Sequence, residues 1–431
     1  MLVRLLVLLV LLSTFLGAQT QPAPPTLNIP AAAQAGPGFN VEAATRAYLA
    51  TYTPEQKARS DGYFEGGYWL ILWDFLYGAV IAIVLLATRL SARLRDLAER
   101  ITRRRPLQTG LYWVQYLIVV FVLGFPLTVY EGFVREHQYG LSNQTFLAWF
   151  GDQGKGLGLG LVLGGLIIMA LFGIVRRLPA TWHLWGAGAV IVFMTILQLI
   201  APVFIAPMFN KYTLLEDAKV RDPILRLARQ NGIPATNVYQ VDASRQSKRV
   251  SANVSGFLGT ERITLNDNLL RRSSPQAIMA VMGHEMGHYV LNHVYKGLAF
   301  LIIIIVVFFA CLRWALFWSL ARWGERWGIR GLGDPAVLPL AALILSLLFF
   351  ILTPVTNTLS RIAMSTKRTC SGSIPRVSPT ASRSPLCCSA NIASWNRDRS
   401  RSSSSSTIRA GTRASIRRCA GRPRTCASER P

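Results

Sequence analysis

Six segments of this chain are long and apolar enough to cross a bilayer, at Gly67–Leu90, Leu111–Phe133, Leu157–Val175, Trp182–Ile205, Gly297–Leu320 and Ala336–Val355. Hydrocarbon offers no partner to a backbone N–H or C=O, so each must close its hydrogen bonds internally and become a helix. With 51% hydrophobic residues the chain is too apolar for an ordinary soluble enzyme. The sequence therefore predicts a mainly α, multi-pass transmembrane helical protein carrying a smaller α+β insertion. Four spans fill 67–207 and two fill 297–355.

Residues 1–18 read as a cleavable secretory signal: a single charge at Arg4, an apolar core Leu5–Leu12 and small residues Gly17-Ala18 before a polar, Pro-rich stretch. An uncleaved anchor is the alternative. Residues 19–66 form an N-terminal extramembrane segment. The glycine run GKGLGLGLVLGG (Gly154–Gly165) lacks the Gly-Lys-Ser/Thr ending of a phosphate loop, so close helix packing is expected there.

The sizeable polar region, 208–296, mixes both secondary-structure periods. Asp222–Ile233 has helical spacing, whereas NVYQVDAS and TERITLND read as short strands. In the second strand Ile263 and Leu265 alternate with Arg262 and Thr264, as in a half-buried strand that could lie at a sheet edge. Ser274 and Pro275 then open a helix as N-cap and first residue.

That helix carries VMGHEMGHYVLNH (Val281–His293). Residues i and i+4 share a helix face, so His284 and His288 can hold one zinc ion together. Glu285, one step round, sits where it can take a proton from a metal-bound water. Three of the chain's five histidines (His284, His288, His293) fall within ten residues. The bland alternative is a helix with incidental core or surface histidines. His137 and His183 are isolated and read as structural.

Together these motifs resemble an integral-membrane zinc metalloprotease of the CAAX prenyl protease type. REHQYGLSNQTF (Arg135–Phe146), IAPMFNKYTLLED (Ile205–Asp217), ASRQSKRVSANVSGFLGTERITLNDNLL (Ala243–Leu270) and NTLSR (Asn357–Arg361) carry the likeness beyond the zinc motif. It implies a membrane-bound endopeptidase that uses one Zn2+ and acts on peptide or protein substrates at the bilayer. It also implies that substrate adds to a strand near Asn253 to Leu265, making Asn253, Ile263 and Leu265 candidate substrate-binding residues. Arg361 matches an arginine near the family's site; a structural ion pair is the alternative for it, as a turn residue is for Asn253.

The family follows Ser-Arg with a glutamate ligand in a Glu-x-x-Ala-Asp pattern. Here no acidic residue occurs between Arg361 and Asp398. Codons permitted for Ala363–Pro375 can be chosen so that reading from the last base of the Ala363 codon spells His-Glu-His-Glu-Ala-Asp-Leu-Phe-Gly-Leu-Asn-Ser. This supplies the missing pattern in place. Residues 356–431 thus read as a truncated third-ligand region followed by an out-of-frame, compositionally disordered tail. From Met364 onward lie 14 Lys/Arg against 2 Asp/Glu, and five of the six cysteines. The net charge of +25 therefore implies no nucleic-acid partner.

Two rival functions follow from the sequence: a catalytically impaired, frameshifted homologue of such a protease, and a transporter or channel with an incidental histidine helix. The latter needs charges at mid-bilayer depth, and Asp74 lies near one end of a span, which weakens that reading. The arginine-rich loops at Ser91–Gln108, Arg176-Arg177 and Ala321–Arg330 place those loops in the cytoplasm by the positive-inside rule. Residues 208–296 then face the opposite side, which for a secretory-type start suggests a bacterial inner membrane.

Overall fold

A computed structural model of the protein describes residues 30–34, 40–256 and 261–371, with side chains described for all of these except 33 and 359–371. The expected signal segment and the tail past Ser371 lie outside the described residues. All six expected spans are helices of membrane-crossing length and hydropathy, running Pro54–Ala87 (α2), Arg105–Gln138 (α4), Phe146–Arg177 (α5), Trp182–Phe209 (α6), His293–Trp323 (α10) and Pro335–Thr358, the last made of the turn Pro335–Val337 and the first part of α11 (Leu338–Ser371). Two shorter helices precede and follow α2: α1 (Val41–Leu49) and α3 (Leu90–Ile101).

Hydropathy marks only the apolar middle of each helix, and local chemistry extends the ends. The start of α2 lies well before Gly67 because Thr53 and Gln56 form a reciprocal capping box around Pro54. The glycine run packs where it meets α4. A Cβ on Gly164 would stand 2.4 Å from the Trp113 ring, and Trp113 Nε1 donates to the Gly160 carbonyl at 3.1 Å. Gly154, Gly156 and Gly158 have open space around them. Asp74 has a partner in the bundle, since it shares a hydrogen bond with Glu131 of α4.

The three arginine-rich loops meet at one end of the bundle. Arg95 of α3, buried, donates to Asp334 at 2.5 Å and to the Gly328 carbonyl at 2.9 Å. Arg176 Nε reaches the Gly333 carbonyl at 2.9 Å, and Arg330 pairs with Glu99 at 2.8 Å and Asp96 at 3.0 Å. Ser91 Oγ is 2.7 Å from the Tyr112 hydroxyl and donates to the Ala336 carbonyl at 2.9 Å.

The α+β insertion sits at the other end. Its sheet comprises β1 (Tyr212–Leu214), β2 (Val238–Val241), β3 (Ala252–Ser255) and β4 (Arg262–Asn266) in the order β1-β2-β4-β3. Only the β2–β4 pair is parallel. Helices α7 (Ala218–Gln230), α8 (Asp267–Arg272) and α9 (Pro275–Val290) complete it. The start of α7 precedes the expected Asp222, because Asp217 caps it by accepting from Lys219 N at 2.9 Å, which leaves Pro223 inside the helix. The core unites Ile224 and Leu227 of α7, Ile263 and Leu265 of β4, and Ile278, Met282 and Met286 of α9.

β4 is a central strand, not an edge. The alternation read from Arg262 to Leu265 is real, but its polar face is covered as well. Thr264 is buried, and the Arg262 guanidinium lies over the rings of Tyr212 (4.4 Å) and Tyr239 (3.9 Å). The sheet edge on this side is β3.

Candidate metal centre

The helix that carries the histidines starts as its sequence dictates. Ser274 Oγ accepts from Ala277 N at 3.3 Å, and Pro275 occupies the first position, where no N–H is needed. Met282 and Met286 anchor one face of α9 in the core. His284, Glu285 and His288 are half-buried. At the far end Asn292 takes a left-handed conformation (φ 54°), and α10 begins immediately after it with His293. Asparagine tolerates this backbone better than most residues.

The turn folds His293 back on the helix that precedes it. His284 Nε2 and His288 Nε2 are 3.3 Å apart, with ring planes at 73°. On the opposite side of the His288 ring, Nδ1 lies 2.9 Å from Nδ1 of the buried His293. Two nitrogens bound to one tetrahedral zinc at about 2.0–2.1 Å stand about 3.3–3.4 Å apart. The separation of the two Nε2 atoms is therefore that of two ligands on one zinc ion. Among the described residues no third His, Cys, Asp or Glu completes a metal-holding group with it.

Of the other expected site residues, Asn253 lies on the edge strand β3, exposed and paired with Thr264 of β4. That strand packs beside α9. Ile263 and Leu265 do not belong to a substrate surface: both are fully buried in the core, and their strand is paired on both sides. They support β3 from behind. Asn266 N donates to the Ser251 carbonyl at 3.0 Å, which fixes the alternation along the β3–β4 pair. The main-chain groups of Ala252 and Val254 consequently turn towards the outer edge of β3. Arg361 falls within α11, a helix that runs past α9, and its side chain is outside the described set.

Sequence reading missed the polar junction between β4 and α8, which leads into α9. Asp267, buried at the start of α8, accepts from Ser244 N at 2.9 Å and is also bound by the Ser244 hydroxyl and the Arg271 guanidinium. Burial alone would push its carboxyl up, but these donors outweigh burial and hold it below the usual range. Asn268 Nδ2 donates to the Ser247 carbonyl at 2.7 Å, and Asn266 Nδ2 to the Arg249 carbonyl at 2.7 Å. The motif NDN (Asn266–Asn268) was the available signal: three short polar side chains in a row at a strand-to-helix junction.

Residues 42–211 match the family model described as "CAAX prenyl protease N-terminal, five membrane helices", and residues 214–369 match "Peptidase family M48". The chain belongs to the M48 peptidase family. It is 32% identical to the uncharacterized metalloprotease YhfN of Bacillus subtilis over 64% of this chain and 65% of that one. It is 35% identical to CAAX prenyl protease 1 of Saccharomyces cerevisiae over 42% of this chain and 40% of that one. The chain thus spans less than two thirds of the length of these curated relatives. The crystal structure of S. mikatae Ste24p has the same fold, with TM-score 0.63 and 22% identity over 79% of this chain and 81% of that one. As an M48 chain with six membrane-length helices, it is an integral, multi-pass membrane protein.

Proposed function

We propose that this protein is a membrane-bound, zinc-dependent endopeptidase in which His284 and His288 hold one zinc ion and Glu285 serves as general base. The observation that carries this reading is the 3.3 Å separation of the two Nε2 atoms on one face of α9 in an M48 chain. The ion, when bound, supplies Lewis-acid polarisation and an acidified water. Glu285 would accept a proton from that water and return it to the departing amine. The peptide lies along β3, pairing with the main-chain groups of Ala252 and Val254 while Asn253 faces it. Substrates are peptides or proteins already at the bilayer, a reading supported by the six membrane-length helices of the chain.

The test compares full-length variants purified in detergent. His284→Ala or His288→Ala should lose zinc, whereas Glu285→Gln should keep zinc and lose peptide hydrolysis. Undiminished hydrolysis by Glu285→Gln would sink the mechanism.

A specific feature favours the impaired reading for the chain as it stands. The helix α11 runs past α9, yet the sequence after Arg361 brings no carboxylate before Asp398. Two imidazoles alone leave the ion under-coordinated and its charge unbalanced, so zinc binding is weak and turnover low. Restoring the frame to Ser-Arg-Ile-His-Glu-His-Glu-Ala-Asp should raise both. Equal zinc and equal rate with and without the restored frame would place the third ligand elsewhere.

The arginine-rich end is assigned to the cytoplasm, which puts the metal centre on the opposite side of a bacterial inner membrane. The three basic loops meeting at one end of the bundle support a common side for them. A reporter fused near Gly232 that fluoresces only in the cytoplasm should stay dark.

A further inference from the structure

The His288–His293 contact has no role in the chemistry described so far. Two neutral imidazoles that meet through Nδ1 at 2.9 Å must share one proton, one ring donating and the other accepting. Without metal, either direction can be satisfied. In one of them His293 donates to His288, whose protonated Nε2 then faces His284 Nε2 across 3.3 Å. That direction leaves His288 no lone pair at Nε2 for a ligand. Only the reverse direction, with the proton on His288 Nδ1 and His293 accepting, presents the Nε2 lone pairs of both His284 and His288 to the same point.

We infer that His293 is a positioning residue: its Nδ1 accepts the His288 Nδ1 proton and so holds His288 in the tautomer and ring orientation that bind metal. The inference rests on the zinc reading above. Three features of the fold support it. The left-handed Asn292 returns the chain so that His293 stands beside His288, although five residues apart they would not face each other on one continuous helix. His293 is buried, so water is a poor substitute acceptor. It also opens a 31-residue helix, which fixes its backbone. Partners that orient a ligating histidine in this way typically govern about 10–100-fold in metal affinity.

The experiment measures zinc affinity by chelator competition on the full-length protein, with no reference to turnover. The variants are His293→Leu, which cannot accept, and His293→Gln, whose carbonyl oxygen can. Leu should weaken zinc by about tenfold or more, and Gln should recover most of that loss. Equal affinity in Leu and the unsubstituted protein, or a folded Gln variant as weak as Leu, overturns the proposal. Should Leu fail to fold, the unsubstituted protein loaded with zinc and isotopically labelled at its histidine nitrogens decides the matter. His288 Nδ1 should carry a slowly exchanging proton and His293 Nδ1 should not; the reverse pattern overturns the proposal. Zinc uptake as strong in His284→Ala as in the unsubstituted protein would remove the metal-site reading itself, and this inference with it.

Discussion

The two ends of the helical bundle are held together by different physics. At the arginine-rich end a charged pair is buried outright: the side chains of Arg95 and Asp334 are 7% and 4% exposed. They connect α3 to the loop before α11, with a hydroxyl chain through Ser91 and Tyr112 beside them. At the metal end, the polar contacts that seat the insertion on the membrane helices are wetter. Arg249 pairs with Glu136 while half exposed, and Arg245 stands 3.6 Å from Asp152. One end includes a charge pair that water cannot reach, beside the exposed pairs of Arg330. The other has a packed core of its own and rests on contacts that water can replace.

The sharpest way to break this contrast is Asp334→Ala. It removes the buried partner of the Arg95 guanidinium and leaves it only the half-exposed Asp96 at 2.8 Å, so the loss should approach the about 3–5 kcal/mol typical of a broken buried pair. Asp334 also caps the turn that leads into α11, accepting from Ala336 N at 3.0 Å and Arg330 N at 2.9 Å. Denaturant unfolding in detergent should therefore show a large loss of stability. A loss below about 1 kcal/mol, the scale of an exposed pair, would mean that water reaches the site and that the two ends do not differ in kind.

How much of this was legible follows from what sequence signals measure. Hydropathy located every span because a bilayer imposes one uniform demand on each. The metal helix was legible from Ser274-Pro275 and the spacing of His284 and His288, both local properties of one helix. The Arg95–Asp334 pair was not, since 239 positions separate its members and neither sits in a motif. Nor was the sheet order. A period-2 pattern reports which face of a strand is apolar, not whether something covers the polar face, and Tyr212 and Tyr239 cover Arg262 from strands far away in sequence. His293 lay in plain view, but its bearing on His288 depends on the left-handed turn at Asn292.

A smaller effect is expected at Asp267, the buried carboxylate of the metal end. Asp267→Ala strips acceptors from the Ser244 backbone and hydroxyl and from Arg271, a loss of about 1.5–3 kcal/mol near neutral pH. The acid dependence should carry the same signature. Folding holds this carboxyl below its unfolded value near 3.9, so its contribution is complete above that value. It declines as pH falls through the lower folded value. The stability difference between the unsubstituted protein and Asp267→Ala should therefore be constant from neutral pH to about pH 5 and shrink below about pH 4. A difference that grew on acidification would show that burial, not the donors, dominates at this site.

The smallest effect is expected at Arg249, where the two ends should differ most. Its guanidinium meets both oxygens of Glu136 at 2.9 Å and the hydroxyl of Tyr63, yet its side chain is 53% exposed. Exposed pairs contribute about 0–1 kcal/mol and weaken with salt. The main chain here is held independently, because the Arg249 carbonyl accepts from Asn266 Nδ2 at 2.7 Å and from Asn268 Nδ2 at 3.1 Å. Tyr63 and Glu136 also keep their own hydrogen bond at 2.7 Å. Arg249→Ala should therefore leave β3, three residues further on, in place. The unfolding midpoint should move by no more than a low-salt to high-salt transfer moves that of the unsubstituted protein. KM for a peptide should change little, since the main-chain groups of Ala252 and Val254 are positioned by β4. A loss of stability approaching that of Asp334→Ala would show that the insertion depends on this contact for its fold, and would erase the distinction between the two ends.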